Sequence, residues 1–474
     1  MDNKKKLVVG MASIWAGGGH HALRDFLAEE LEKDPRFDLK TFNHTNTGFD
    51  SSNDQLWGKL GNIYEVLYKY TPHEYSSVSA IGLVKECDQF VKKYNPDIVI
   101  SSNFGIAGAF ALVKKSLKLN FFNIFAIPDY GIPSSAALPR SRYLTPDFII
   151  VFDERAKTGI AKKLKFPKER ILVSGYIARK SFRDLIATNA KKSKEELVKE
   201  IKIDLGKTFG SNISSEKRTM IITGGAGGIV GNSWGLLKKI AEHQKEDEEL
   251  KQKIQLLVIT GKNTKFFNKL FKFHIKKDQA WENIIPIPWI DHETYSKLQL
   301  LADFPIMVSI APASMNELFE SKCGPLLIHN SRKGQETPNV KFAVQNKFGY
   351  YLPKKKDALK YVINGFSKHE NEEFVERVKK YKEVRLGRIK KLPDDIVNIY
   401  SQYKNPARKT DIKRLNLDLN LKWISPKLWL SLVILMLPLS VIYGFVQYYR
   451  QKDRMGRNKY VKSLINFISQ LNPF

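Results

Sequence analysis

What most constrains this chain is a pattern that occurs twice. A short apolar run ends in a cluster of glycines, and a helical pattern begins at once. The first instance is residues 7–11, followed by Ala16-Gly17-Gly18-Gly19-His20-His21. After it Leu23, Phe26, Leu27 and Leu31 keep helical spacing. The second is residues 220–223, followed by Gly224-Gly225-Ala226-Gly227-Gly228-Ile229-Val230-Gly231 and a helical run from Trp234. Each instance opens a series of strand-like runs. The first series is 7–11, 98–101, 121–127, 148–152 and 171–174; the second is 220–223, 255–260, 284–287, 306–309 and 326–329. Helical stretches separate most of these runs, 83–94 and 236–243 among them. Strands alternating with helices predict parallel sheets covered on both faces. The Lys-, Ser- and Glu-rich stretch 188–216 reads as the connection between the two series. The expected fold class is α/β, with two doubly wound Rossmann-like lobes and a cleft between them. A chain of 474 residues, 43% of them hydrophobic, is long enough for both.

Ligands of doubly wound sheets bind outside the carboxyl ends of the strands, where both glycine loops stand. Glycines let backbone N–H groups approach an anion, and the following helix turns its positive end toward it. Tight packing of strand on helix could demand the same glycines. Neither loop matches G-x-x-x-x-G-K-[ST], and G-x-G-x-x-G fails at Val230, which argues against a P-loop ATPase and a dinucleotide enzyme.

Lys and Arg number 78 against 49 Asp and Glu, a formal charge of +29. That excess predicts an anionic partner. Only 18 of the 78 are Arg, the residue that reads bases and grips phosphates bidentately, and no nucleic-acid motif accompanies the charge. An anionic membrane surface is therefore the expected partner, and nucleic acid is not. The two cysteines, Cys87 and Cys323, stand in no motif, so neither a disulfide scaffold nor a Cys-based zinc site is expected. Lys4-Lys5-Lys6 and the uncharged run 7–16 imitate a signal peptide, but the glycines and helical pattern that follow favour a buried strand. Residues 428–446, LWLSLVILMLPLSVIYGFV, carry no charge. As a helix they would be roughly 28 Å long, the thickness of a bilayer core. A C-terminal transmembrane helix is expected there, with an amphipathic tail after it.

A third element joins the two loops. Ser314-Met315-Asn316-Glu317-Leu318 opens a helix, Cys323-Gly324-Pro325-Leu326-Leu327-Ile328 gives a turn and a strand, and Gly334-Gln335-Glu336-Thr337-Pro338-Asn339 follows. Three motifs in this order resemble the GT-B glycosyltransferases of the MurG/monogalactosyldiacylglycerol synthase group, which includes the processive diacylglycerol glucosyltransferases. The resemblance covers about residues 5–400. Ile127-Pro128-Asp129-Tyr130-Gly131 and Gly175-Tyr176-Ile177-Ala178-Arg179 resemble further segments of that group. It implies a membrane-bound, inverting hexosyl transfer from a nucleotide sugar, a UDP-sugar first, to a lipid such as diacylglycerol or a glycolipid. The alternatives are a polyprenyl-linked cell-envelope acceptor, or a sugar-nucleotide-binding membrane protein without turnover. The nucleotide sugar is a co-substrate, and neither cofactor nor metal is implied.

The resemblance also distributes roles. Gly224, Gly225, Gly227 and Gly228 would approach the diphosphate, assisted by Ser314 and Arg179. Glu317 would accept hydrogen bonds from the ribose hydroxyls, and Gln335, Glu336 and Asn339 would grip the hexose. His20 is the candidate base for the acceptor hydroxyl, since a helix start disfavours an imidazolium; His21 is the weaker neighbour. Three places depart from the group's pattern. Trp15 stands where relatives carry Asp, Asp129-Tyr130-Gly131-Ile132-Pro133-Ser134-Ser135-Ala136 lacks their His and Trp, and Ala311-Pro312 replaces Gly-Gly. An aromatic segment from Phe49 to Tyr75, helical in pattern over 56–68, is the expected contact with the acceptor's bilayer. The expected organisation is an acceptor lobe over 1–180 and a nucleotide-sugar lobe over 181–405. A basic linker, the membrane helix and its tail fill 406–474, with the lobes facing the cytoplasm.

Overall fold

The structure, a computed structural model, describes residues 5–13, 19–43, 72–131, 144–210, 212–225, 229–275, 279–331 and 336–404. Two parallel sheets organise them. The first holds β1 (Leu7–Ser13), β2 (Phe37–Asn43), β3 (Ile98–Ser101), β4 (Phe122–Ala126), β5 (Phe148–Val151) and β6 (Ile171–Val173), in the order β2-β1-β3-β4-β5-β6. The second holds β7 (Arg218–Thr223), β8 (Ile254–Ile259), β9 (Ile284–Ile287), β10 (Phe304–Met307), β11 (Leu326–Ile328) and β12 (Gly349–Tyr351), in the order β12-β11-β10-β7-β8-β9. Helices cover both faces, so central strands such as β3 and β8 are buried at every residue. That is why they read as unbroken apolar runs. The sequence pattern misses β2 and β12, which are edge strands. Each pairs on one side only, and β2 spends Asp38, Lys40 and Thr41 on exposed or half-buried positions.

Both sheets reverse their winding direction beside their first strand. In the second sheet the chain moves outward through β7, β8 and β9, then returns to lay β10 against the other side of β7. Thr223 and Met307 are register partners, so the loops leaving β7 and β10 start level across the crevice between them. In the first sheet the same reversal separates β1 from β3, with Ala12 opposite Ser101. Each crevice is the place where a parallel sheet offers helix starts and free strand ends to a ligand.

One continuous apolar cluster runs from the first lobe into the second. Its crossing is aromatic. Tyr130 stacks on Phe342 with centroids 4.0 Å apart, and Phe152 stacks on Tyr176 at 4.7 Å. The stretch expected as a connection is instead largely helical. Helix Lys194–Gly210 and helix Lys180–Asn189 before it both pack on helix His292–Leu301 of the second lobe. The crossing itself is the short segment 174–179. The chain also comes back. Helix Leu392–Lys404 packs on helix Gly19–Leu31 of the first lobe, where the Tyr400 hydroxyl donates to Asp97 at 2.8 Å and Tyr403 lies 4.7 Å from Phe122.

The expected single-pass membrane placement, with lobes facing the cytoplasm, is corrected. Among the described residues no helix is long and apolar enough to cross a membrane. The long helices there are amphipathic: Lys368–Ile389, 22 residues, buries Phe374, Val378, Arg385 and Ile389 and gives its other faces to charged residues. The stretch 428–446, the tail after it and the aromatic residues 49–71 lie outside the described residues.

Candidate functional site

The second-lobe crevice is lined by backbone. After β7 come Gly224, buried, and Gly225, half-buried with φ +70, a left-handed conformation that favours glycine. A Cβ added to Gly225 would meet nothing within 4 Å among the described residues. Its backbone conformation is what calls for glycine here. Gly227 and Gly228 lie outside the described residues. Val308 N–H donates to Thr223 C=O at 3.0 Å and ties the two strand ends together. Helix Pro312–Ser321 then starts with Ala311 as its cap residue, which has no side chain able to cap, and with Pro312, which has no N–H. The N–H groups of Ala313 and Ser314 have no acceptor within the helix, so a half-buried, uncapped helix start faces the crevice.

Glu317 sits about one turn into that helix with 13% of its side chain exposed. Burial pushes its carboxyl up to about 7, against the pull of Arg179, whose guanidinium lies 3.8 Å away. Arg179 reaches it from the lobe crossing and also donates to His292 Nε2. Three helices meet here: Lys180–Asn189, His292–Leu301 and Pro312–Ser321 pack on one another.

Glu336 and Asn339, expected at the hexose, hold protein partners in this structure. Glu336 accepts from the Ser309 hydroxyl and from Ile310 N–H at 3.1 Å, and so braces the backbone leading into the Glu317 helix. Asn339 is fully buried and joins the lobes. Its oxygen accepts from Tyr130 N–H at 2.8 Å, while its amide donates to Asp129 at 2.9 Å and to Ile310 C=O at 3.0 Å. Burial pushes the Asp129 carboxyl up to about 6, with the Asn339 hydrogen bond opposing. Gln335 lies outside the described residues.

Across from these groups, helix Gly19–Leu31 packs on helix Pro312–Ser321 and carries His20 near its start. His20 Nδ1 lies 2.6 Å from the Ser102 carbonyl oxygen. A carbonyl only accepts, so Nδ1 carries the proton and Nε2 keeps its lone pair. Burial holds the ring below its ordinary value, which keeps it neutral. His21 Nδ1 pairs instead with the Ser13 hydroxyl at 2.6 Å, and burial lowers its value to about 4. A Cβ on Gly19 would also meet nothing within 4 Å among the described residues.

Sequence reasoning missed His292, Trp289 and the Tyr130–Asn316 contact. Trp289 is 52% exposed just past the carboxyl end of β9, with the Lys262 ammonium 5.3 Å from its ring centre. An exposed tryptophan in Pro288-Trp289-Ile290-Asp291, just after a strand, was the available signal. Nothing local signals the donation from Asn316 to the Tyr130 hydroxyl at 2.6 Å. Among the described residues no three or more His, Cys, Asp or Glu side chains gather as a metal site.

No family model matches the chain. A rice protein (Oryza sativa subsp. japonica) named "Probable monogalactosyldiacylglycerol synthase 3, chloroplastic" is 25% identical over 391 residues, 78% of this chain and 70% of the relative. A glycosyltransferase structure from Rickettsia africae superposes with a TM-score of 0.51 at 15% identity, covering 85% of this chain and all of the other. The UDP-GlcNAc 2-epimerase of Neisseria meningitidis, solved with UDP-GlcNAc bound, gives 0.50 at 14% identity, covering 84% and 100%. The fold is of the GT-B kind. The Rickettsia glycosyltransferase and the Neisseria UDP-GlcNAc 2-epimerase share this two-lobed frame.

Proposed function

We propose that this protein transfers a hexose from a UDP-sugar to the hydroxyl of a lipid acceptor, diacylglycerol or a glycolipid, with inversion at the sugar C1. The observation that supports the reading is the packing of helix Gly19–Leu31, which carries His20 near its start, on helix Pro312–Ser321, which carries Glu317. On one side stands a neutral His20 with a bare Nε2; on the other stand an uncapped helix start, a conformationally required glycine and Arg179. In the reaction the acceptor O–H gives its proton to His20 Nε2 as its oxygen bonds to C1. The bond from C1 to the β-phosphate oxygen breaks, and its electron pair leaves with UDP. Donors at the second glycine loop, at Ala313 and Ser314, and on Arg179 stabilise that charge as it develops. Glu317 receives the ribose hydroxyls, and Trp289 beside Lys262 suits a stacked base. In this reading Gln335, Glu336 and Asn339 reach the hexose in a donor-bound arrangement. The relative named for monogalactosyldiacylglycerol supports a diacylglycerol acceptor.

The test is nucleotide release from a panel of UDP-, GDP- and TDP-sugars, with and without dispersed diacylglycerol. The expected result is lipid-stimulated release from one UDP-hexose, abolished in Glu317→Ala. Conversion of UDP-GlcNAc to its 2-epimer without any acceptor would replace transfer by epimerisation. UDP binding with no release on any lipid would overturn the diacylglycerol acceptor. It would leave a polyprenyl-linked acceptor or a binder without turnover.

A further inference from the structure

We propose that His292 is a positioning residue that holds the Arg179 guanidinium where the donor's diphosphate departs. The inference rests on the nucleotide-sugar reading above. Arg179 follows the chain crossing between lobes, so its long side chain has no reason of its own to side with either. The structure binds it to the second lobe, where the glycine loop and the uncapped helix start lie. Its Nη2 donates to His292 Nε2, and Glu317 stands 3.8 Å away. A guanidinium only donates, so the His292 Nε2 must be unprotonated and the ring neutral.

The surroundings hold that ring in place and in that state. His292 is the first residue of helix His292–Leu301, whose start is capped by Asp291 accepting from Thr294 N–H at 2.8 Å. Phe182 meets the imidazole edge to face, with centroids 6.4 Å apart and planes at 80°. Phe182 belongs to helix Lys180–Asn189, which Arg179 precedes, so ring contact and hydrogen bond together close a small loop between two helices. The backbone beside Arg179 is fixed from the other lobe. Glu29, on the helix that carries His20, accepts from Lys180 N–H at 2.5 Å and from the Ser181 hydroxyl at 3.1 Å. With its backbone and one donor held, Arg179 keeps the rest of its five-donor fork for phosphate oxygens.

The test measures affinity for UDP and for uridine, by calorimetry, in wild type and two variants. His292→Phe keeps the packing on Phe182 and removes the acceptor; His292→Gln restores an acceptor at the Nε2 place. The expected result for His292→Phe is UDP affinity down about tenfold with uridine affinity unchanged, the scale of one lost charge-assisted hydrogen bond. His292→Gln should recover most of the loss. Unchanged UDP affinity in His292→Phe would overturn the positioning role. So would equal losses for UDP and uridine in both variants, the mark of a collapsed site. If wild type binds no UDP, the nucleotide-sugar reading itself fails and takes this proposal with it.

Discussion

Glu317→Gln should make the protein more stable while making it a poorer enzyme. Burial raises the Glu317 carboxyl from its ordinary 4.5 to about 7, with Arg179 pulling the other way. For a carboxyl raised in this direction the folded state holds the proton more tightly between those two values. The stability it contributes is therefore fully present below pH 4.5 and is lost as pH rises through 7. The gap corresponds to about 3 kcal/mol, against a typical total of about 5–15 kcal/mol for a folded protein. Glutamine has the same shape and no charge to desolvate. Urea denaturation of both proteins should give nearly equal midpoints at pH 5. At pH 8 the variant should be ahead by up to about 3 kcal/mol, with weaker UDP binding. A wild-type-to-variant difference that is the same at both pH values would refute the reasoning, since a lost contact without a titration does not vary with pH. Stability gained where function is lost is what a site that buries a charge for its ligand predicts.

Two further outcomes follow from the same geometry. Gly19→Ala should leave the melting temperature unchanged or slightly higher, because Ala suits a helix better and its Cβ meets nothing among the described residues. Lipid-stimulated release should nevertheless fall by roughly tenfold, a misplacement penalty of the usual size for a site beside the helix start; full activity would refute a substrate placed against Gly19. Asn339→Ala should leave the Tyr130 N–H and the Ile310 carbonyl without their partner, at about 2–4 kcal/mol in a urea titration. Small-angle scattering should show a larger radius of gyration as the lobes part, and an unchanged radius would show that Asn339 is not the clasp.

The placement of the glycine loop and of the Glu317 helix was legible because these elements are local. Gly225 and the start of the Glu317 helix each follow a strand directly, and the apolar runs of β7 and β10 place both at one crevice once a parallel sheet is assumed. The partners that Glu336 and Asn339 hold show where such reading ends. A polar residue after a strand looks the same whether it meets a sugar or a neighbouring lobe. Only the folded chain shows Glu336 under Ser309 and Ile310, and Asn339 against Tyr130 some two hundred residues earlier. The edge strands β2 and β12 were illegible for another reason: β2 is broken by Asp38, Lys40 and Thr41, and β12 is only three residues long.

The sequence by itself determined that this chain builds two α/β lobes around parallel sheets, because burial on both faces leaves a periodic, local imprint. Tertiary structure alone decided which nitrogen of His20 is bare, through a carbonyl 82 residues away, and which side of the cleft holds Arg179, through a histidine 113 residues away. Hydrogen bonds across such separations depend on how helices from different parts of the chain come to lie side by side, and no local pattern of residues encodes that.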